Sequence, residues 1–302
     1  MTTIFVSGLI NIETTVQVDR FPIEYSPVRY PFFGVRSTVA GVGYNVAKAL
    51  ATLGDSVRLA SIVGRDMPGA LVDAQLRADG LPGADVLALA EATAQSAILY
   101  DPAGRRQINT DLKDIQELRY PPEQLERALD GCALAALCNI NFSRPMLARA
   151  KARGIAVATD VHAIGDLDDA YNRDFMAAAD LLFMSHELLP CDPEAWAARV
   201  QQRYGTPIVV VGLGAGGALL AVRADGFVGR FAAHAARPIV STIGAGDALF
   251  SAFLHSYAAA PDPYAAIRRA IVFAGYKIGS IGAAEGFLSH AALEALLAEL
   301  PG

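Results

Sequence analysis

Short, near-continuous apolar runs alternate with stretches of helical periodicity along most of this chain, and that alternation constrains the fold more tightly than any other feature. "TIFVSGLI" (3–10), "SVRLASIVG" (56–64), "LAALCNIN" (134–141), "GIAVATDV" (154–161), "ADLLFMS" (179–185) and "PIVVVGL" (207–213) read as strands. Between them lie helical patterns. "YNVAKALATLG" puts Val46, Leu50 and Leu53 on one face and stops at Gly54, and "MPGALVDAQLRADG" carries Pro68 near its start. Strands apolar on both faces and separated by helices predict an α/β fold, with a mostly parallel sheet covered on both sides. Ligands of such sheets sit beyond the carboxyl ends of the strands.

Two stretches break the rhythm. Residues 11–38 alternate Thr15, Gln17 and Asp19 with Val16 and Val18 but hold no helix, and 95–110 reads as a hairpin turning at "DPAG". Both are expected to form a small β-sheet lid, the whole of 1–302 making a single domain. Ordinary surface hairpins are the plainer alternative.

The composition excludes several classes. Hydrophobic residues make up 53% and charged residues 19%, a globular balance. A net charge of −6 without a basic block argues against nucleic acid. Cys132, Cys138 and Cys191 are too few and scattered for a disulfide framework or a zinc cage. "MTTIFVSGLI" lacks a signal-peptide pattern and no apolar run is long enough to span a bilayer, so no membrane partner and a cytoplasmic location are expected.

The stretch "STIGAGDALFSAF" (241–253) carries the chemistry. Gly244, Ala245 and Gly246 leave N–H groups unshielded at a helix start, where the helix dipole favours an anion. Asp247 then has two readings: an acid complementing the dipole, or a general base beside an anion hole, the pairing that phosphoryl transfer requires.

This stretch resembles the carboxy-terminal signature of the ribokinase-like (PfkB) carbohydrate and nucleoside kinase family, Asp-Thr-x-Gly-Ala-Gly-Asp. The amino-terminal signature appears as "AGVGYNVAKALATLG" (40–54). The resemblance covers nearly the whole chain and implies a three-layer α/β/α fold with a lid. It also implies an ATP-dependent kinase acting on the hydroxymethyl group of a small sugar. By position, Asp247 matches the catalytic base and Gly244, Ala245 and Gly246 the anion hole. Asn11, Glu13, Gly41, Val42, Gly43 and Asn45 match substrate-binding positions, with Glu13 longer than the usual Asp. Asn109, at the lid's polar tip with Arg106, Gln107 and Asp111, is a further substrate candidate.

Gly212-x-Gly214-x-x-Gly217 matches a dinucleotide fingerprint formally, but "ALLAVRADG" after it reads as a strand where that fingerprint needs a helix. The resemblance assigns Gly212, Gly214 and Gly217 to ATP instead, with Ala274, Ile278 and Gly282 walling the adenine. The family's Mg²⁺-linked Asn-x-x-Glu is replaced by "SHEL", leaving Glu187 as the acid expected to reach the metal through water, or as a plain helix-start acid. Ser241 stands where the signature carries Asp, in a loop that the resemblance links to a monovalent cation, K⁺.

Val42 and the aromatic Tyr44 look more like pseudouridine-kinase-type members, which makes a nucleoside the alternative substrate. A non-catalytic sugar- or nucleotide-binding protein on the same fold is a lesser alternative. The apolar lid residues Tyr30, Phe32 and Phe33 have three readings, a stack on a nucleoside base, lid core or a dimer contact, and a homodimer through the lid is expected.

Overall fold

The computed structural model describes residues 3–300. Its main sheet has nine strands, built around β1 (Thr3–Ser7). On one side of β1 lie β4 (Ser56–Gly64) and the edge strand β5 (Val86–Ala90). On the other lie β8 (Leu134–Leu137), β9 (Ala156–Ala163), β10 (Leu181–Ser185) and β11 (Ile208–Gly212). All of these run parallel, and only β12 (Ala218–Val222) and β13 (Phe227–Phe231), at the far edge, pair antiparallel.

Alternate side chains of one strand enter two different cores, which is why the apolar runs are continuous. Ile4 and Val6 face one side and Phe5 the other; Leu181 and Phe183 part from Leu182 and Met184 in the same way. Helices α1 (Val42–Leu53), α2 (Met67–Ala78), α7 (Ala245–Ala259), α8 (Pro263–Lys277) and α9 (His290–Ala298) cover the first face. There Phe183 meets Phe250 and Phe253 edge-on, at 4.9 and 5.2 Å between ring centres. Helices α3 (Pro122–Leu129), α4 (Arg144–Ala152), α5 (Arg173–Ala178) and α6 (Pro193–Tyr204) cover the second, around the fully buried Trp196. Gly54 ends α1 in the left-handed conformation, as its sequence predicts, and Pro68 lies in the first turn of α2, which Asp66 caps by accepting from Gly69 N at 2.9 Å.

A separate four-stranded sheet is formed by β3 (Val35–Ala40), β2 (Asn11–Gln17), β6 (Gln95–Tyr100) and β7 (Arg106–Asp111), in that order. The run 3–10 is not one strand throughout: β1 stops at Ser7, and the chain turns through Gly8–Ile10 before entering β2. β6 and β7 are joined at Asp101, whose side chain accepts from Arg105 N at 2.9 Å. Cys132 and Cys138 are buried, Cys191 is partly exposed, and all three are free.

Candidate active site

The site lies where α7 begins, beyond the carboxyl ends of the parallel strands and under the small sheet. Gly244 caps α7 at φ 76° and ψ 8°, and a Cβ there would lie 2.4 Å from Ala283 O, so neither the backbone nor the neighbouring loop admits a side chain. Asp247 follows in the first turn. Its Oδ2 accepts from Asn45 Nδ2 of α1 at 2.6 Å, and Ser251 Oγ donates to its backbone carbonyl at 2.6 Å. Burial raises the Asp247 pKa above the usual carboxylate range, while the Asn45 hydrogen bond opposes the rise.

The three small residues do not contribute equally. Ala245 N–H closes the turn on Thr242 O at 3.2 Å, whereas the N–H groups of Gly244, Gly246 and Asp247 have no backbone partner among the described residues. Beside Gly246 the space is open, the nearest atom to a Cβ there being Asp160 Oδ2 at 4.0 Å. Free N–H donors at a helix start with open space before them form a place for an anion.

Across from Asp247, the small sheet presents one polar face. Glu13 pairs with Ser96, which pairs with Thr110, and directly opposed residues share a face. Asn11 Nδ2 donates to Ser96 Oγ at 2.6 Å, and Ser96 Oγ to Thr110 Oγ1 at 3.2 Å. Three buried acceptors, Asn11 Oδ1, Glu13 Oε1 and Asn45 Oδ1, have no donor within the described residues. Buried acceptors of this kind are satisfied by hydroxyl donors. Asn109 pairs with Ala97 on the other face of the sheet and donates to Ala97 O at 3.2 Å, so the register does not bring it to this group. Gln107 and Asp111 share that other face; Arg106 is on the face of Glu13.

Gly41 and Gly43 lie where α1 starts against the β1–β2 turn, with Val42 as its first residue. A Cβ on Gly43 would fall 2.5 Å from the Gly8 carbonyl carbon and oxygen. Its small size is therefore required by helix–strand packing. Tyr44, the aromatic residue behind the nucleoside alternative, is 1% exposed in the core and donates its hydroxyl to Asp79.

Burial lifts the Glu13 carboxyl to about 7, with the Asp247 charge adding and Lys277 opposing. Lys277 and Asp160 are site residues that motif reading missed. The signal for Lys277 was a single cation in the apolar run "AIVFAGYKIG"; Asp160 is one acid within a strand, with no motif around it.

On the far side, Gly212, Gly214 and Gly217 form the turn between β11 and β12, whose antiparallel pairing leaves no helix for a dinucleotide fingerprint. Ser185 ends β10. Glu187 lies in the turn after it, not at a helix start, with Oε1 4.0 Å from Arg106 Nη2. The other Arg106 nitrogen, Nη1, donates to Thr242 Oγ1 at 2.8 Å, so the small sheet is tied to the loop before α7. Ala274 lies on α8 and Ile278 caps it. The Ile278 carbonyl accepts from Val240 N and Ser241 N, at 2.8 and 3.0 Å. Gly282 lines a different cleft of about 250 Å³, with Ser37, Tyr44, Lys48 and Glu285.

The pfkB family carbohydrate kinase model matches residues 1–290. The chain belongs to that family. This kinase is 29% identical over 296 residues to acarbose 7(IV)-phosphotransferase of Actinoplanes sp., 97% of each chain being covered. It is similar in structure to the microbiome-derived acarbose kinase Mak1, with a TM-score of 0.88, 27% identity and 99% of both chains covered. The fold is also that of ribokinase from Giardia lamblia, with a TM-score of 0.84 at 18% identity over 99% of both chains. Members of the pfkB family are ATP-dependent kinases that phosphorylate hydroxyl groups of sugars or nucleosides. No helix of this kinase, among the described residues, is long and apolar enough to cross a membrane.

Proposed function

We propose that this chain transfers the γ-phosphoryl group of ATP to a primary hydroxyl of a sugar, with Asp247 as general base. The observation that carries this reading is the pairing of the Asp247 carboxylate with the free N–H groups of Gly244 and Gly246 in one helix turn. One oxygen of Asp247 is held by Asn45; the other is left to accept the hydroxyl proton as the oxygen attacks phosphorus. Charge developing on the transferred group meets N–H donors already in place, which need no reorganisation.

A sugar is favoured over a nucleoside on two grounds. The whole-chain likeness to two proteins named for acarbose supports a glycoside acceptor. Asn11 Oδ1, Glu13 Oε1 and Asn45 Oδ1 offer acceptors to adjacent ring hydroxyls, while the aromatic Tyr44 is committed to the core. The small sheet, tied down by Arg106 on Thr242, serves as the lid of a single domain and keeps water from the phosphoryl group.

Gly212, Gly214 and Gly217, with Ala274 and Ile278, are the proposed ATP positions. Among the described residues no group of three or more His, Cys, Asp or Glu side chains is arranged to hold a metal. Mg²⁺ carried by the nucleotide phosphates needs few protein ligands, and Glu187, beside Arg106, is the acid proposed to reach its water shell. When bound, Mg²⁺ supplies neutralisation of phosphate charge. A homodimer through the lid is supported by the exposed Tyr30, Phe32 and Phe33, and sedimentation of the purified chain tests it.

ADP release, measured with ATP over a panel of mono- and oligosaccharides and nucleosides, tests the assignment. Turnover with a sugar, abolished in Asp247→Asn, is expected. Turnover with nucleosides alone would replace the sugar reading, and none with either would remove the kinase assignment.

A further inference from the structure

The strongest unexplained group in the molecule is the side chain of Lys277. It ends α8, is 0% exposed, and lies beneath the turn that precedes α7. A buried ammonium is costly unless a partner holds it. Here its Nζ donates to the backbone carbonyl of Ile243. Charged groups face it from four other elements: Asp247 on α7, Glu13 on β2, Glu285 in the loop after α8, and Arg106 on β7. Three acids against one further cation favour its protonated form and oppose the burial that lowers it to about 8.

The carbonyl it binds is significant. Ile243 C=O and Gly244 N–H belong to one peptide group, and resonance couples them. A cation on the oxygen draws electron density from the nitrogen and strengthens the N–H as a donor. That N–H is one of those without a backbone partner at the start of α7.

On this side of the loop, the groups that a diffusible cation would use are already taken. Ser241, in place of the signature Asp, brings no carboxylate, and its Oγ accepts from Ile243 N at 3.3 Å to close the turn. The Ile278 carbonyl is engaged by two N–H groups, and the Ile243 carbonyl by the ammonium. Neither of these carbonyls, nor Ser241, is therefore left to coordinate K⁺.

We propose that Lys277 is a tethered monovalent cation: its ammonium holds and polarises the Ile243–Gly244 peptide whose N–H receives the phosphoryl group, which leaves this kinase independent of K⁺. Lys277 is thus a positioning residue, acting through Gly244. The inference rests on the kinase reading of Asp247 and Gly244.

The experiment compares wild type, Lys277→Ala and Lys277→Met, assayed by direct ADP detection with K⁺, NH₄⁺ or tetramethylammonium as the only added monovalent cation. Wild-type kcat is expected to be equal in all three, within about twofold. Lys277→Ala should lose about 30-fold or more in kcat with little change in the sugar KM, since the loss is of transition-state stabilisation. K⁺ or NH₄⁺ entering the vacated space should restore kcat by about tenfold, whereas Lys277→Met, which fills that space, should not respond. The melting temperature gives a second readout: K⁺ should raise that of Lys277→Ala but not of wild type, because only the variant has a place to bind it.

A wild type that requires K⁺, a Lys277→Ala of full rate, or a slow Lys277→Ala that neither K⁺ nor NH₄⁺ rescues would each overturn the proposal. If Lys277→Ala is too unstable to assay, an active Lys277→Met would do the same. Wild-type turnover tests the kinase reading alone, so the two failures are distinguishable.

Discussion

Asn45 Nδ2 donates to Asp247 Oδ2 at 2.6 Å, joining residues 202 apart and linking the first turns of α1 and α7. This one bond orients the carboxylate and leaves its other oxygen to the substrate. Asp247→Asn keeps the shape of the side chain and removes its basicity. It should lower kcat by roughly 10²–10⁴-fold, the range of a general base, with a melting temperature no lower than wild type. Steady-state kinetics and thermal denaturation check both halves.

Asn45→Ala takes away the donor that holds down the Asp247 pKa. The base must be ionised to act, so activity is lost as pH falls through its pKa. Without the Asn45 donor that pKa rises further, and the acid limb of the kcat/KM profile should move to higher pH. A limb that stays in place would mean that Asn45 does not act on the base.

Gly244→Ala and Gly246→Ala should differ in kind. At Gly244 a methyl group meets Ala283 O and the positive φ is strained, so stability should fall by about 1–3 kcal/mol. At Gly246 the methyl group enters open space, so the melting temperature should hold while kcat drops. Denaturant titration beside kinetics separates the two.

Asn11→Ala should raise the sugar KM by roughly tenfold, since it deletes a buried acceptor and the N–H donor that Ser96 Oγ accepts from. Asn109→Ala, on the opposite face of the lid, should leave KM within about twofold. Equal effects would contradict the lid register.

Glu13 ties stability to pH. Its pKa is raised from 4.5 to about 7 in the fold, so its contribution is fully present below pH 4.5 and is lost as pH rises through about 7. Relative to Glu13→Gln, the ligand-free protein should lose roughly 3 kcal/mol across that window, read by denaturant unfolding at each pH.

Much of this protein follows from local sequence. Strands such as 181–185 carry apolar residues at every position because both faces of a parallel sheet are covered, and that density is visible without coordinates. Gly54 and Pro68 mark helix ends because their backbone preferences are intrinsic. The two signature segments could be read for the same reason: each is contiguous, and the glycine turn before Asp247 states its chemistry in seven residues.

What required the tertiary structure depends on how distant segments meet. Whether Asn109 or Thr110 joins Glu13 is a matter of strand register, where a slip of one residue exchanges the faces. That the aromatic Tyr44 is buried, with its hydroxyl on Asp79 at the end of α2, is likewise a matter of how helices pack. Ala245 N–H is engaged by a carbonyl three residues back, a choice made by the turn geometry and not by the Gly-Ala-Gly composition. Lys277 was one cation in an apolar helix. Only the packing of α8 beneath the turn before α7 brings its ammonium to Ile243 O, because a charge removed from water must be met by whatever acceptor the fold places beside it.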